Sequence, residues 1–413
     1  MRIAPDRALL FWALASFAAN LGLARFSYGV LLPALRHDFA ASYGALGAIN
    51  ALNLGGYLAG TLAAPLFARG STAQTRSYLG ATIAVAFALA ASAVSGNLAE
   101  LAFWRIIAGF GSAIAIAMTA VATFERVLPA HRASATSAMW AGAAIGIFVT
   151  AAGAPLTAGS HAASWRFVWL AMALATLVAA VGFAATLRVV PLEASVAASH
   201  GAQRDGFRMR DMLRPHRFLF LSSSYLLFGM AYIAYATFAV ALFRAHGIPA
   251  TGAGLAWALV GVGGVAGAYG IGYVLDSPLR HSALPLAGLM GAFGGLLAAG
   301  PSLLSIVTSA LLFGFGCVAT PAVITALSRE RSTAAAYAGT YTAVTTMLCV
   351  GQFAGPLLAG PLVDRYGLSA AALFTMVVYG FCTLAAVLDA RGVRKGDRVP
   401  YLNYDDARAD GSR

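Results

Sequence analysis

Charge is scarce in this chain. Only 10% of its 413 residues are Asp, Glu, Lys or Arg, while 60% are hydrophobic and the mean hydropathy is +0.77. A soluble domain carries about a quarter charged residues, so a soluble fold is excluded and a polytopic membrane protein is expected. Lysine is nearly absent: Lys395 stands alone among arginines, and no function attaches to that bias. Cysteine is confined to Cys317, Cys349 and Cys382, each inside an apolar stretch, which argues against a disulfide framework or a thiolate metal site. Acidic residues number 15 against 27 basic ones, yet the formal charge of +12 is scattered between apolar runs. Without a basic patch interleaved with aromatics, nucleic acid is not an expected partner. No nucleophile, base and orienting acid occur as a set and no metal-ligand spacing is present, so neither an enzyme nor a cofactor or metal site is expected. Gly261-Val-Gly263-Gly264 lies inside an apolar run and reads as helix packing, not a phosphate loop. The first apolar run is too long for a cleavable signal peptide.

What the chain does contain is long apolar runs. Polar and Gly/Pro punctuation separates spans at 8–33, 44–67, 77–95, 101–124, 135–158 and 167–188, then at 217–243, 253–275, 283–300, 302–327, 335–360 and 368–388. An all-α fold with twelve transmembrane helices follows. With the amino terminus inside, Arg69, Arg76, Arg126, Arg132, Arg280, Arg329, Arg331 and the basic tail share the inner side. The outer side keeps only Arg36, Arg166, Arg244 and Arg365, so both termini are expected in the cytoplasm, as in an inner-membrane protein. The hydrophilic stretch 191–216 reads as a cytoplasmic linker between an N-terminal bundle, 1–190, and a C-terminal bundle, 217–389, with a tail at 390–413. Its basic residues also suit an anionic lipid surface.

The two halves are repeats. Gly22-Leu-Ala-Arg25-Phe-Ser-Tyr28 aligns with Gly229-Met-Ala-Tyr232-Ile-Ala-Tyr235, Gly109-Phe-Gly111 with Gly314-Phe-Gly316, and Gly142/Gly146 with Gly351/Gly355. Each match keeps a separation of a little over two hundred residues, so two pseudo-symmetric six-helix bundles are expected, related as a parallel repeat.

Twelve spans in two related halves resemble the major facilitator superfamily. Gly272-Tyr-Val-Leu-Asp276-Ser-Pro-Leu-Arg280 is similar to its Gly-x-x-x-Asp-x-x-x-Arg gating loop, Arg105-Ile-Ile-Ala-Gly109 to its span-four signature, and Gly355-Pro356 to its Gly-Pro helix in span eleven. The first-half loop has Ala64 and Ala68 at the motif positions and retains only the charges of Arg69 and Arg76. The Gly-Leu-Ala-Arg-Phe opening looks most like the YbfB/YjiJ-type permeases. The resemblance implies a monomeric carrier that works by alternating access, with spans 1, 4, 7 and 10 lining a central cavity.

Arg25 and Arg105 are the two charges inside spans. A charged side chain at mid-bilayer costs about 2.5–3.5 kcal/mol on insertion scales, so such residues face protein or a wet cavity. The repeat pairs Arg25 with Tyr232 and Arg105 with Ala310, which places both charges in one half of the cavity. Arg25, Tyr28, Arg105, Tyr232 and Tyr235 are candidate substrate contacts, joined by polar stripes at helical spacing: Asn53 and Tyr57 beside Asn50, and Tyr341 and Gln352 beside Thr345. No Asp, Glu or His occupies a mid-span position. The expected substrate is a small organic anion, exchanged for another anion or carried with a proton; the alternative is an exporter of neutral or cationic hydrophobic compounds.

Overall fold

The computed structural model describes residues 5–67, 71–128, 131–153, 164–192, 218–332 and 337–394. Pro5–Phe17 continues through a π-helical stretch, Ala18–Phe26, into Ser27–Asp38, and the three form one rod, α1. The N-terminal bundle is completed by α2 (Tyr43–Phe67), α3 (Ser71–Val94), α4 (Leu98–Phe124), α5 (Arg132–Gly153) and α6 (Ser164–Val189). The C-terminal bundle holds α7 (Phe220–Ala245), α8 (Ala250–Leu275), α9 (Ala283–Ala298), α10 (Leu303–Glu330), α11 (Tyr337–Tyr366) and α12 (Ser369–Arg394). Ten of these are long and apolar enough to cross a membrane by composition alone, and α5 carries a shorter apolar core. The remaining one, α2, is diluted by Asn50, Asn53 and Tyr57, all of which turn to protein partners. Arg69, most of the linker and the tail beyond 394 lie outside the described residues.

Local chemistry sets the ends of the helices. Asn97 accepts from the Glu100 amide to open α4 (2.9 Å), and its repeat counterpart Ser302 accepts from the Ser305 amide to open α10 (3.1 Å). Gly247 and Gly367, both at φ +83°, stop α7 and α11 in the left-handed region. After α1 that position is held by Ala40 at φ 46°.

The same small-residue contacts build both bundles. Gly109 of α4 lies against the Asn53 carbonyl of α2, and Gly314 of α10 against the Val260 carbonyl of α8. Gly142 and Gly146 seat α5 on α1, whereas Gly351 and Gly355 seat α11 on α7. Close backbone approach is the main packing device between apolar helices in lipid, where Leu gains little by leaving one apolar phase for another.

The bundles meet unevenly. We call the end where α1 runs into α2 the distal face, and the end where α6 stops and α7 begins the linker face. Toward the distal face one apolar core is shared: Tyr28, Leu31, Leu35, Leu46 and Ile49 pack with Phe238, Ala241, Ala359 and Val363. Toward the linker face, Leu9, Phe17, Tyr78, Met118, Met139 and Phe183 form a core within the N-terminal bundle alone. Trp165 and Trp169 lie near the start of α6, where an interfacial belt is the ordinary place for an indole, yet both are fully buried: Trp165 donates to Asp38 (2.6 Å) and Trp169 packs beside Arg105. Their helix begins beneath the end of α1, so the indoles fill core and not headgroup space.

Candidate functional site

Arg25 is held on the π-helical part of α1, two residues before regular α-helix resumes at Ser27. Single π-helical stretches widen the turn and re-aim side chains, and they recur at functional sites. Arg25 Nη2 donates to Tyr232 Oη of α7 (2.8 Å), and Gln352 Nε2 of α11 donates to the same oxygen (2.6 Å). Arg25 and Tyr232 are repeat counterparts, and so are Gly29 and Ala236, which meet one helical turn further along. Only residues on the pseudo-twofold axis can touch their own counterparts, so Arg25 stands at the centre between the bundles. Its guanidinium also lies over the rings of Tyr57 (4.8 Å) and Phe26 (5.7 Å), both half-buried. The Nε of Arg25 is buried without a hydrogen-bond partner, and among the described residues no carboxylate pairs with it.

Arg105 likewise has no carboxylate partner among the described residues, and its Nε and Nη1 are also buried without a hydrogen-bond partner, but it lies off the axis, behind α1. It is 0% exposed, donates from Nη2 to the Ala24 carbonyl (2.6 Å) and stacks between the rings of Tyr28 and Trp169, each 5.8 Å away. Ala24 belongs to the π-helical stretch and precedes Arg25, so Arg105 braces the turn that carries the central charge. Asn53 in turn donates to the Arg105 carbonyl (2.6 Å), and Tyr28 to the Leu46 carbonyl (2.8 Å). Tyr235 bonds Ser309 (2.8 Å) and stacks on Phe313 within the C-terminal bundle.

The nine candidate contacts therefore divide. Tyr57, Tyr232 and Gln352 gather directly around Arg25, and Tyr341 is half-buried on α11. Arg105, Tyr28 and Asn53 form a supporting layer behind α1, and Tyr235 lies in the C-terminal core. Phe26 joins the central group although sequence singled it out only within its motif. Thr237, which accepts from Asn50 across the bundle interface (2.7 Å), carried no signal, because one threonine in an apolar helix is unremarked until its partner is known.

The candidate gating residues are spread over both ends. Asp364, which is not one of them, lies beyond Gly355 and Pro356 on α11, just past Pro361, and caps the first turn of α2: Oδ1 accepts from the Tyr43 amide and Oδ2 from the Gly44 amide, both at 2.7 Å. Pro356 presents its carbonyl to Gly47 of α2, and Gly355 packs on Met230 of α7. At the linker face Asp276 is exposed, Arg280 pairs with Glu330 inside the C-terminal bundle (2.7 Å), and Arg76 is exposed on α3.

A profile described as the uncharacterised MFS-type transporter YbfB matches residues 17–390. The chain belongs to the YbfB-type major facilitator family. No curated protein matches it in sequence. Solved structures share its fold across nearly the whole chain. A bacterial homologue of the human lysosomal transporter Spinster, inward-facing and unoccupied, superposes with a TM-score of 0.76 at 16% identity, over 95% of this chain and 98% of that one. The nucleoside transporter NupG gives 0.76 at 11% identity over 95% and 100%, and a D-xylose-proton symporter gives 0.71 at 14% over 95% and 98%. This YbfB-type chain is thus a twelve-helix membrane transporter, and family and fold are those of transporters, not of enzymes.

Proposed function

We propose that this transporter moves a small organic anion, a carboxylate by preference, across a bacterial inner membrane as a monomer with both termini in the cytoplasm. One observation carries the reading: a buried guanidinium on the axis between the bundles, with an unpartnered Nε and no acidic partner among the described residues. Arginine forks match carboxylates in shape, and charge-assisted bonds in a dry site are about twice as strong as neutral ones. The aromatic wall of Tyr57, Phe26 and Tyr232 suits an apolar or aromatic body behind the carboxylate. On this reading the distal face is the outer one, sealed by the shared core and the Asp364 cap, and the site opens toward the cytoplasm. Rocking of one bundle against the other would exchange that seal for one at the linker face built from Arg76, Asp276 and Arg280. Charge balance at Arg25 is met by the substrate itself, through anion exchange or by carrying a proton along.

The same aromatic wall supports a second reading, export of neutral or cationic hydrophobic compounds. A thermal-shift panel separates the two, because a ligand of the folded state raises apparent stability, by about 2.7 kcal/mol at a hundredfold excess over Kd. Carboxylates should stabilise the purified protein and their amides should not; stabilisation by amides or amines alone would favour the second reading.

A further inference from the structure

The guanidinium of Arg25 is half engaged. In a guanidinium, Nε–H and one Nη2–H point the same way and form a fork that a carboxylate grips with both oxygens. Here Nη2 holds the phenol oxygen of Tyr232 at 2.8 Å, while the adjacent Nε is buried with no partner. Tyr232 Oη also receives Gln352 Nε2 at 2.6 Å, so two donors converge on one neutral oxygen. That convergence suits an anionic oxygen better than a phenol, whose two lone pairs are then both taken. Arg25, Tyr232 and Gln352 are 8%, 6% and 3% exposed, so water competes little for these positions.

Resting on the anion reading above, we infer that Tyr232 is a stand-in for the substrate. A carboxylate displaces the phenol, placing one oxygen between Arg25 Nη2 and Gln352 Nε2 and the other on Arg25 Nε. Because Arg25 belongs to α1 and Tyr232 and Gln352 to α7 and α11, the exchange replaces a direct tie between the bundles with one that runs through the substrate. The empty and loaded forms then hold the interface differently, which is what a carrier needs if binding is to bias its rocking. The substrate class narrows to carboxylates with both oxygens free to enter the fork, and esters and amides are excluded.

The test uses the full-length protein with benzoate as the probe and benzamide as its neutral control, both read by thermal shift across a concentration series. The conservative variant Tyr232→Phe removes only the competing oxygen. It should bind benzoate about tenfold more tightly than wild type, the low end for one charge-assisted hydrogen bond, and Tyr232→Leu should move the same way if the first variant folds poorly. Arg25→Gln should lose the benzoate response in either background. Benzoate affinity that is unchanged or weaker in both Tyr232 variants would overturn the displacement while leaving the anion reading standing. Benzoate no better than benzamide in wild type and variants alike would overturn both.

Discussion

The two bundles are built to one plan and equipped differently. Caps at Asn97 and Ser302, crossings at Gly109 and Gly314, and seats at Gly146 and Gly355 repeat from one half to the other. The charges do not repeat. Where α4 has Arg105, α10 has Ala310, and where α1 runs through a π-helical stretch, α7 is regular α-helix from Phe220 to Ala245. These two differences belong together: Arg105 reaches the Ala24 carbonyl inside the π-helical stretch, and a regular helix opposite Ala310 needs no such donor. The N-terminal bundle has been adapted to hold a charge on the axis, and the C-terminal bundle supplies neutral partners for it.

Replacing Arg105 with alanine makes the first half resemble the second and should be the most damaging change. It empties a fully buried site and removes the donor to Ala24, at a cost of about 3 kcal/mol, read as a fall in melting temperature by several degrees. Arg105→Lys should recover part of that loss, because the charge and one donor remain. If Arg105→Ala melts like wild type, the bracing role is wrong.

Asp364→Asn tests the seal rather than the bundle. It keeps size but removes the anion that caps α2, which is worth about 1 kcal/mol and so shifts an open–closed equilibrium about fivefold. Distances between spin labels on the distal ends of α2 and α11 should show a larger separated population, and an unchanged distribution would mean the cap closes nothing. The smallest effect concerns Ala40. Glycine fits its left-handed φ as it does at Gly247, and the relief of about 1–2 kcal/mol is largely offset by the entropy of an added glycine, about 0.4–1 kcal/mol. Ala40→Gly should therefore stabilise by about 0.5 kcal/mol, a small rise in melting temperature.

Much of this was legible in the residues. Apolar run lengths reveal the twelve helices, and the paired glycine motifs reveal the repeat, because both depend on local composition. Arg25 stands out for the same reason: a guanidinium in an apolar run has few places to go. Its alignment with Tyr232 even anticipates their contact, since counterparts on the axis must meet. What stayed hidden depends on partners far away in sequence. Nothing in Leu-Ala-Arg-Phe announces a π-helical turn, and nothing around Arg105 says that its head meets a carbonyl rather than the site. Trp165 and Trp169 sit near a span end and look interfacial until Asp38 and Arg105 are placed beside them. Asp364 lies near the end of its helix with no local partner to mark it, and the helix it caps, α2, begins more than three hundred residues earlier in the chain.

The central claim is that one guanidinium, Arg25, carries recognition of the substrate. Benzoate counterflow into proteoliposomes, comparing wild type with Arg25→Gln at equal reconstituted amounts and matched melting temperature, tests it most directly. The account predicts saturable exchange for wild type and none above empty liposomes for Arg25→Gln. Saturable exchange of the same rate in both would contradict it.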